Sequence, residues 1–232
     1  MGRAKPRKTG RSEHPASKRV DYDRVLIVCE GKKTEPHYFE ELRRKYRLNS
    51  LNVVITPADG TDPMSVVRTA KRGQRDEREE GERYDRVYCV FDRDEHANFD
   101  DASRQLENLE RQGFRSIRSW PCFEFWLLLH FQYTRRPFER DGRQTGAQHC
   151  ESALRARPGM GHYRKGAKGL FTELLPRLED AKANAARALH DAKSTGENNP
   201  STEVHELVDY LQHSSIRGGK TAAVDCEFPN SP

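Results

Sequence analysis

Clustered carboxylates stand just beyond two short apolar runs. The run Val25-Leu26-Ile27-Val28 leads through Cys29 into Glu30-Gly31, and Val87-Tyr88-Cys89-Val90-Phe91 leads into Asp92-Arg93-Asp94-Glu95. Carboxylates brought within a few ångströms repel one another, which raises their pKa values. A divalent cation relieves that repulsion, and an all-oxygen donor set suits Mg²⁺ or Mn²⁺. Acids also cap helices and fill turns, so one Asp-x-Asp alone says little. Two acidic run ends separated by a β-α-β unit say more, and Gly31 directly after Glu30 permits a tight turn and close backbone approach. Glu124, between Phe123 and Phe125, is a further candidate. A carboxylate with such neighbours is costly to bury unless it is paired or metal-bound, and Arg118 or Arg135 could pair with it.

These acids need elements to hold them together. The runs at 25–28, 53–55 and 87–91 are short, β-branched and continuous rather than alternating, as expected of strands covered on both faces. Phe114 to Ser119 is a weaker fourth. Helical segments fall between them: Thr34 to Tyr46, a second opening at Asp62-Pro63 and carrying Met64, Val67 and Ala70, and Asp100 to Gln112. The β-α alternation predicts a four-stranded, mainly parallel sheet flanked by helices over residues 21–120. In such sheets ligands bind beyond the carboxyl ends of the strands, so Glu30, Asp92 and Asp94 are expected to converge there.

Beyond residue 120 the pattern becomes helical, and a C-terminal extension over 121–213 is expected to complete the site. It comprises an apolar helix at Pro121 to Tyr133 with Pro in its first turn, a polar loop at 134–146, and a short helix near Gln148 to Arg155. A Gly- and Lys-containing turn at Gly159 to Gly169 follows, then an Ala-rich helix to about 193. Asn199-Pro200-Ser201-Thr202 reads as the start of a last helix ending near Gln212. Residues 214–232 lack periodicity and are expected to be a disordered tail.

The 232 residues carry 41 Lys+Arg and 36 Asp+Glu. Seven of those bases and one acid lie in residues 1–20, leaving 34 bases and 35 acids in the remainder. The basicity is therefore that of an N-terminal arm, expected to be disordered and able to touch nucleic acid. Nucleic-acid contacts elsewhere would need local patches such as Lys32-Lys33 and Arg164-Lys165. No stretch approaches the ~18 apolar residues of a membrane span, and residues 1–20 lack the apolar centre of a signal peptide. Five dispersed cysteines without a C-x-x-C pair suggest neither a disulfide framework nor a zinc knuckle. A reducing cytoplasm fits. Gly31-Lys32-Lys33-Thr34 is not a phosphate-binding loop, because Leu26 stands where its first Gly is required and Lys33 where Ser or Thr is required.

Taken together, these residues resemble the RloB family, a branch of the Toprim-like proteins. The matching segments are Val28 to Pro36 with Tyr38-Phe39, Val90 to Asp94, Trp120 to Phe131, Tyr163-Arg164-Lys165, and Asn199 to Val204 with Leu207-Val208. The resemblance implies a Toprim fold, with Glu30, Asp92 and Asp94 holding Mg²⁺, and metal-dependent hydrolysis of phosphodiesters in DNA or RNA. Glu30 would be ligand or acid/base, Asp92 and Asp94 ligands, and Glu35 and Glu124 second-metal or outer-shell groups. Lys165, or Lys168, would neutralise charge on the transition-state phosphate; Lys32, Lys33, Arg164 and Lys168 would bind nucleic acid. Also implied is an effector role in prokaryotic defence beside a partner ATPase of the SMC/ABC-like AAA type. A fuller Toprim pattern carries a third acid where this chain has His96, which leaves the second metal's ligands open. His96 and His130 are expected to be structural.

Two other classes compete. One is a non-catalytic subunit with a degenerate site that binds nucleic acid or regulates its ATPase. The other, a haloacid-dehalogenase-type phosphatase, places Asp-x-Asp after the first strand rather than the third. Oligomeric state is left open, a homodimer included.

Overall fold

The computed structural model describes residues 23–50, 52–93 and 96–219. The expected arm at 1–20, Asp94 with Glu95, and residues 220–232 of the expected tail lie outside the described residues. The elements in chain order are β1 (Val25–Cys29), α1 (Thr34–Lys45), β2 (Val53–Pro57), α2 (Pro63–Glu79), β3 (Arg86–Asp92), α3 (Phe99–Leu109) and β4 (Phe114–Trp120). They are followed by α4 (Glu124–Leu128), α5 (Gly146–Arg155), α6 (Leu170–Leu174), α7 (Leu178–Thr195), β5 (Ser201–Thr202) and α8 (Val204–Gly219).

The strand order is β2-β1-β3-β4-β5, with β1 to β4 parallel and β5 antiparallel to β4. This is a mixed α/β fold compatible with the Toprim-like arrangement. Successive side chains on a strand point to opposite faces, so β1 is buried throughout and serves two cores. Val25, Ile27 and Cys29 join Tyr38, Leu42, Phe125, Trp126, Ala185 and Leu207 on one face. Leu26 and Val28 join Val66, Val67, Ala102 and Leu106 of α2 and α3 on the other. Fully burying a side chain such as Ile27 or Leu42 contributes about 1.5–3 kcal/mol before ordering entropy is counted.

The sheet has one strand more than expected. Ser201–Thr202, expected to begin a helix, pairs with Trp120 and Ser119 instead. Ser119 Oγ and Thr202 Oγ1 are 3.0 Å apart, and the Glu203 carboxylate receives the Arg118 N–H and guanidinium. These contacts satisfy an edge that would otherwise be open, so α8 starts only at Val204. It then runs to Gly219, past the expected end near Gln212 and into the segment expected to be disordered. The helix expected over 121–133 is much shorter. After Leu128 the chain tightens into His130 N–H to Leu127 and Phe131 N–H to Leu128 carbonyl bonds, with Pro121 outside the helix.

Tyr38 of α1 fixes α4 in place. Its ring lies edge-on to Phe39, Phe123, Trp126 and Phe171, at centroid distances from 5.2 to 6.5 Å. Such pairs add about 0.5–1.5 kcal/mol each beyond area burial. This aromatic knot brings the start of α4, and with it Glu124, to the carboxyl end of the sheet.

Candidate active site

A cleft of about 470 Å³ opens at the carboxyl ends of β1 and β3. It is lined by Glu30, Glu35, Asp92 and Glu124, with Lys32, Lys33 and Lys165 beside them and His96 and Thr34 in the wall. Each acid arrives on a different element: Glu30 just past β1, Asp92 at the end of β3, Glu35 in the first turn of α1, and Glu124 at the start of α4.

The strand ends are tied together by the acids themselves. Glu30 Oε2 accepts the Asp92 backbone N–H at 2.9 Å, and the Glu30 N–H donates to the Val90 carbonyl at 2.9 Å. Glu30 Oε1 lies 3.1 Å from His96 Nε2. His96, expected to be structural, thus stands in the cleft wall, whereas His130 is buried with Nδ1 3.1 Å from the Trp126 carbonyl oxygen. Burial pushes the His130 ring down to about 4, so it stays neutral.

Gly31 packs tightly against the Glu35 carboxylate. A Cβ there would sit 2.6 Å from Glu35 Cδ, so the Glu35 carboxylate occupies the space a side chain would take. Burial, and then the charge of Glu124, push the Glu35 carboxyl up to about 7, although backbone N–H groups and Lys165 oppose the rise. Asp92 moves well above the usual carboxylate range, first through burial and then through Glu35, Glu124 and Glu30. The acids therefore feel one another across the cleft.

Glu124 is only 2% exposed, and its partners are neither of the expected arginines. Arg118 is held by Glu203, and Arg135 donates to the Pro200 and Glu197 carbonyls. Glu124 Oε1 instead accepts the Tyr163 hydroxyl at 2.8 Å and lies 3.7 Å from Lys165 Nζ. For Lys165, burial lowers the ammonium pKa but Glu124 and the neighbouring acids outweigh it, so the pKa rises. Arg164 and Lys168 are exposed on the same segment but do not line the cleft. Sequence reasoning missed Thr34 and Gly166 as cleft-lining residues and left Tyr163 without a role.

The oxygen-only donors, with Glu35 and Asp92 pushed above the usual carboxylate range by burial and by the charge of neighbouring acids, suit a hard divalent cation. As placed, no three of the described Asp, Glu, His or Cys side chains are close enough together to share an ion, and Asp94 is outside the described residues. The donor chemistry fits such an ion.

Among the described residues, no helix is long and apolar enough to cross a membrane. No curated protein matches the chain, and neither does any solved structure. A family described as RloB-like protein matches residues 25–211, from β1 into the last helix. That span takes in the sheet, the four described carboxylates and the segment carrying Lys165, and the chain belongs to the RloB-like family.

Proposed function

We propose that the protein is a metal-dependent phosphodiesterase acting on nucleic acid. The observation that carries this reading is the meeting of Glu30, Glu35, Asp92 and Glu124 in one cleft flanked by Lys32, Lys33 and Lys165. Glu30, Asp92 and Asp94 would hold Mg²⁺ or Mn²⁺, with Glu35 and Glu124 available to a second ion or to its shell. Such a cation, when bound, supplies Lewis acidity at a phosphoryl oxygen and lowers the pKa of an attacking water. Lys165 would face the charge that develops on the phosphate, while Tyr163 orients Glu124 through its hydroxyl. Lys32 and Lys33, with Arg164 and Lys168 further out, would engage flanking phosphates, which position a strand without reading its sequence.

An effector role in prokaryotic defence beside a partner ATPase belongs to the same proposal. Its support is the family resemblance together with the lack of a phosphate-binding loop at Gly31-Lys32-Lys33-Thr34. The test is incubation of the full chain with Mn²⁺ and plasmid, single-stranded DNA or tRNA, with and without that ATPase. Cleavage should vanish in EDTA and in Glu30→Ala and Asp92→Ala, with circular dichroism unchanged. Undiminished cleavage in either variant would refute the assignment.

One observation favours a second reading, a non-catalytic nucleic-acid-binding or ATPase-regulating subunit. His96 Nε2 already lies against Glu30, and the Lys165 ammonium against Glu124, so two of the acids have protein partners without an ion. Titration calorimetry separates the two, because a degenerate site would bind no Mn²⁺ in a manner dependent on Asp92 and Asp94.

A further inference from the structure

The segment bearing Lys165 is fastened to α1 by side chains rather than by a strand or helix of its own. Thr34 Oγ1 accepts the Gly166 N–H at 2.8 Å, and His37 Nδ1 lies 3.1 Å from the Gly166 carbonyl oxygen. Glu41, 9% exposed, accepts the Gly169 N–H at 2.5 Å and the Phe171 N–H at 3.0 Å. Positions 34, 37 and 41 follow the spacing of a single helix face. Tyr38 and Leu42, one position further round, bury the adjacent stripe in the core.

The strap is shaped for this contact. Gly166 and Gly169 have φ of +81° and +83°, a backbone region side chains disfavour. A Cβ at 166 would also lie 2.9 Å from Lys33 Cβ, so the strap runs directly against the loop that leads from Glu30 into α1. Arg155 of α5 holds the other end, its Nε donating to the Tyr163 carbonyl at 3.1 Å. Tyr163 and Lys165, the two residues that reach Glu124, lie between these anchors.

We propose that Thr34, His37 and Glu41 are positioning residues, a clamp along α1 that sets where Lys165 stands against Glu124. The helix that presents Glu35 to the cleft thereby also places the cation opposite it. Acid and base move as one body rather than as two loops. Charged groups oriented in advance lose less to reorganisation when charge develops, which is how a preorganised site lowers a barrier. The functional value of the clamp rests on the reading of Lys165 as the group that faces phosphate, but its geometry can be tested without it.

The test is zero-length cross-linking of the full chain with a water-soluble carbodiimide, in chelator and without nucleic acid. The activated Glu124 carboxylate is attacked by the Lys165 amine, an amide forms, and the carbodiimide leaves as its urea. Mass spectrometry of the linked peptides reads the yield. Thr34→Val and Glu41→Gln should lower the yield about tenfold, since the rate of an intramolecular coupling follows how closely the groups are held. Thr34→Ser keeps the accepting hydroxyl and should restore the yield, a rescue that general loss of packing would not produce. Should Glu41→Gln fail to fold, the Thr34→Val and Thr34→Ser pair decides by itself. Wild-type yield in Thr34→Val, or no link in the wild-type chain, overturns the proposal. Because metal and substrate are absent, an inactive nuclease would leave this outcome untouched.

Discussion

Glu35→Gln should remove a large part of the pH dependence of stability that the cleft imposes on the wild-type chain. Glu35 is 7% exposed, and its carboxyl is pushed from 4.5 to about 7, by burial first and then by Glu124. An acid whose folded pKa is raised stabilises the fold most where it is protonated in both states. That contribution is fully present below about pH 4.5, falls as pH rises, and is gone above about pH 7. The loss across that window is about 3 kcal/mol at 1.36 kcal/mol for each tenfold change in proton affinity. Asp92 adds a loss of the same sign, through burial and then the same neighbouring acids. The assay is urea unfolding of wild-type and Glu35→Gln chains from pH 4.5 to 8 in chelator. The variant should match the wild type at the acid end and exceed it above neutrality by about 2–3 kcal/mol. Millimolar Mn²⁺ should flatten the wild-type curve, because a cation bound among the acids favours their ionised forms. Parallel curves for the two chains, or a wild-type chain that gains stability on Glu35 from pH 4.5 to 7, would refute the reasoning.

The added edge strand depends on its ion pair. Glu203→Ala strands the Arg118 guanidinium beside a 6% exposed position and should cost about 2–3 kcal/mol by urea unfolding; a change under about 0.5 kcal/mol would contradict that. Gly113→Ala forces a side chain onto φ +90° with its Cβ 2.5 Å from the Asp85 carbonyl oxygen, so it should destabilise by at least about 2 kcal/mol, read as a lower melting temperature. Replacing Lys32 and Lys33 together by Ala should weaken binding of a single-stranded oligonucleotide and reduce the slope of log K against log salt by about 1–1.5. An unchanged slope would place the phosphates elsewhere.

Much of this arrangement is legible along the chain. The continuous apolar runs of β1 and β3 announce strands buried on both faces, and the acids that end them mark the edge where a ligand would lie. Asp62-Pro63 announces α2, and Asp62 does accept the Ser65 N–H at 3.1 Å as its cap. The departures are of another kind. Ser201–Thr202 carries the composition of a helix start, and only pairing with Ser119 and Trp120, more than eighty residues away, makes it a strand. The 121–133 segment is mostly apolar, which satisfies a helix and a buried turn equally well, and packing around Tyr38 decides for a short helix.

The carboxylates show the same division. Glu30 and Asp92 could be named from sequence because a strand's direction fixes where its last residue goes, a local property carried by neighbouring side chains. What answers those carboxylates could not be named. Glu124 had arginines nearby in sequence, yet its partners are Tyr163 and Lys165, which the strap delivers from about forty residues along the chain. Thr34, His37 and Glu41 look like ordinary polar positions on an amphipathic helix until Gly166, Gly169 and Phe171 fold against them. Periodicity and turn chemistry act over a few residues and are written in the chain. Hydrogen bonds across more than a hundred residues exist only once the core has closed and brought both partners to one place.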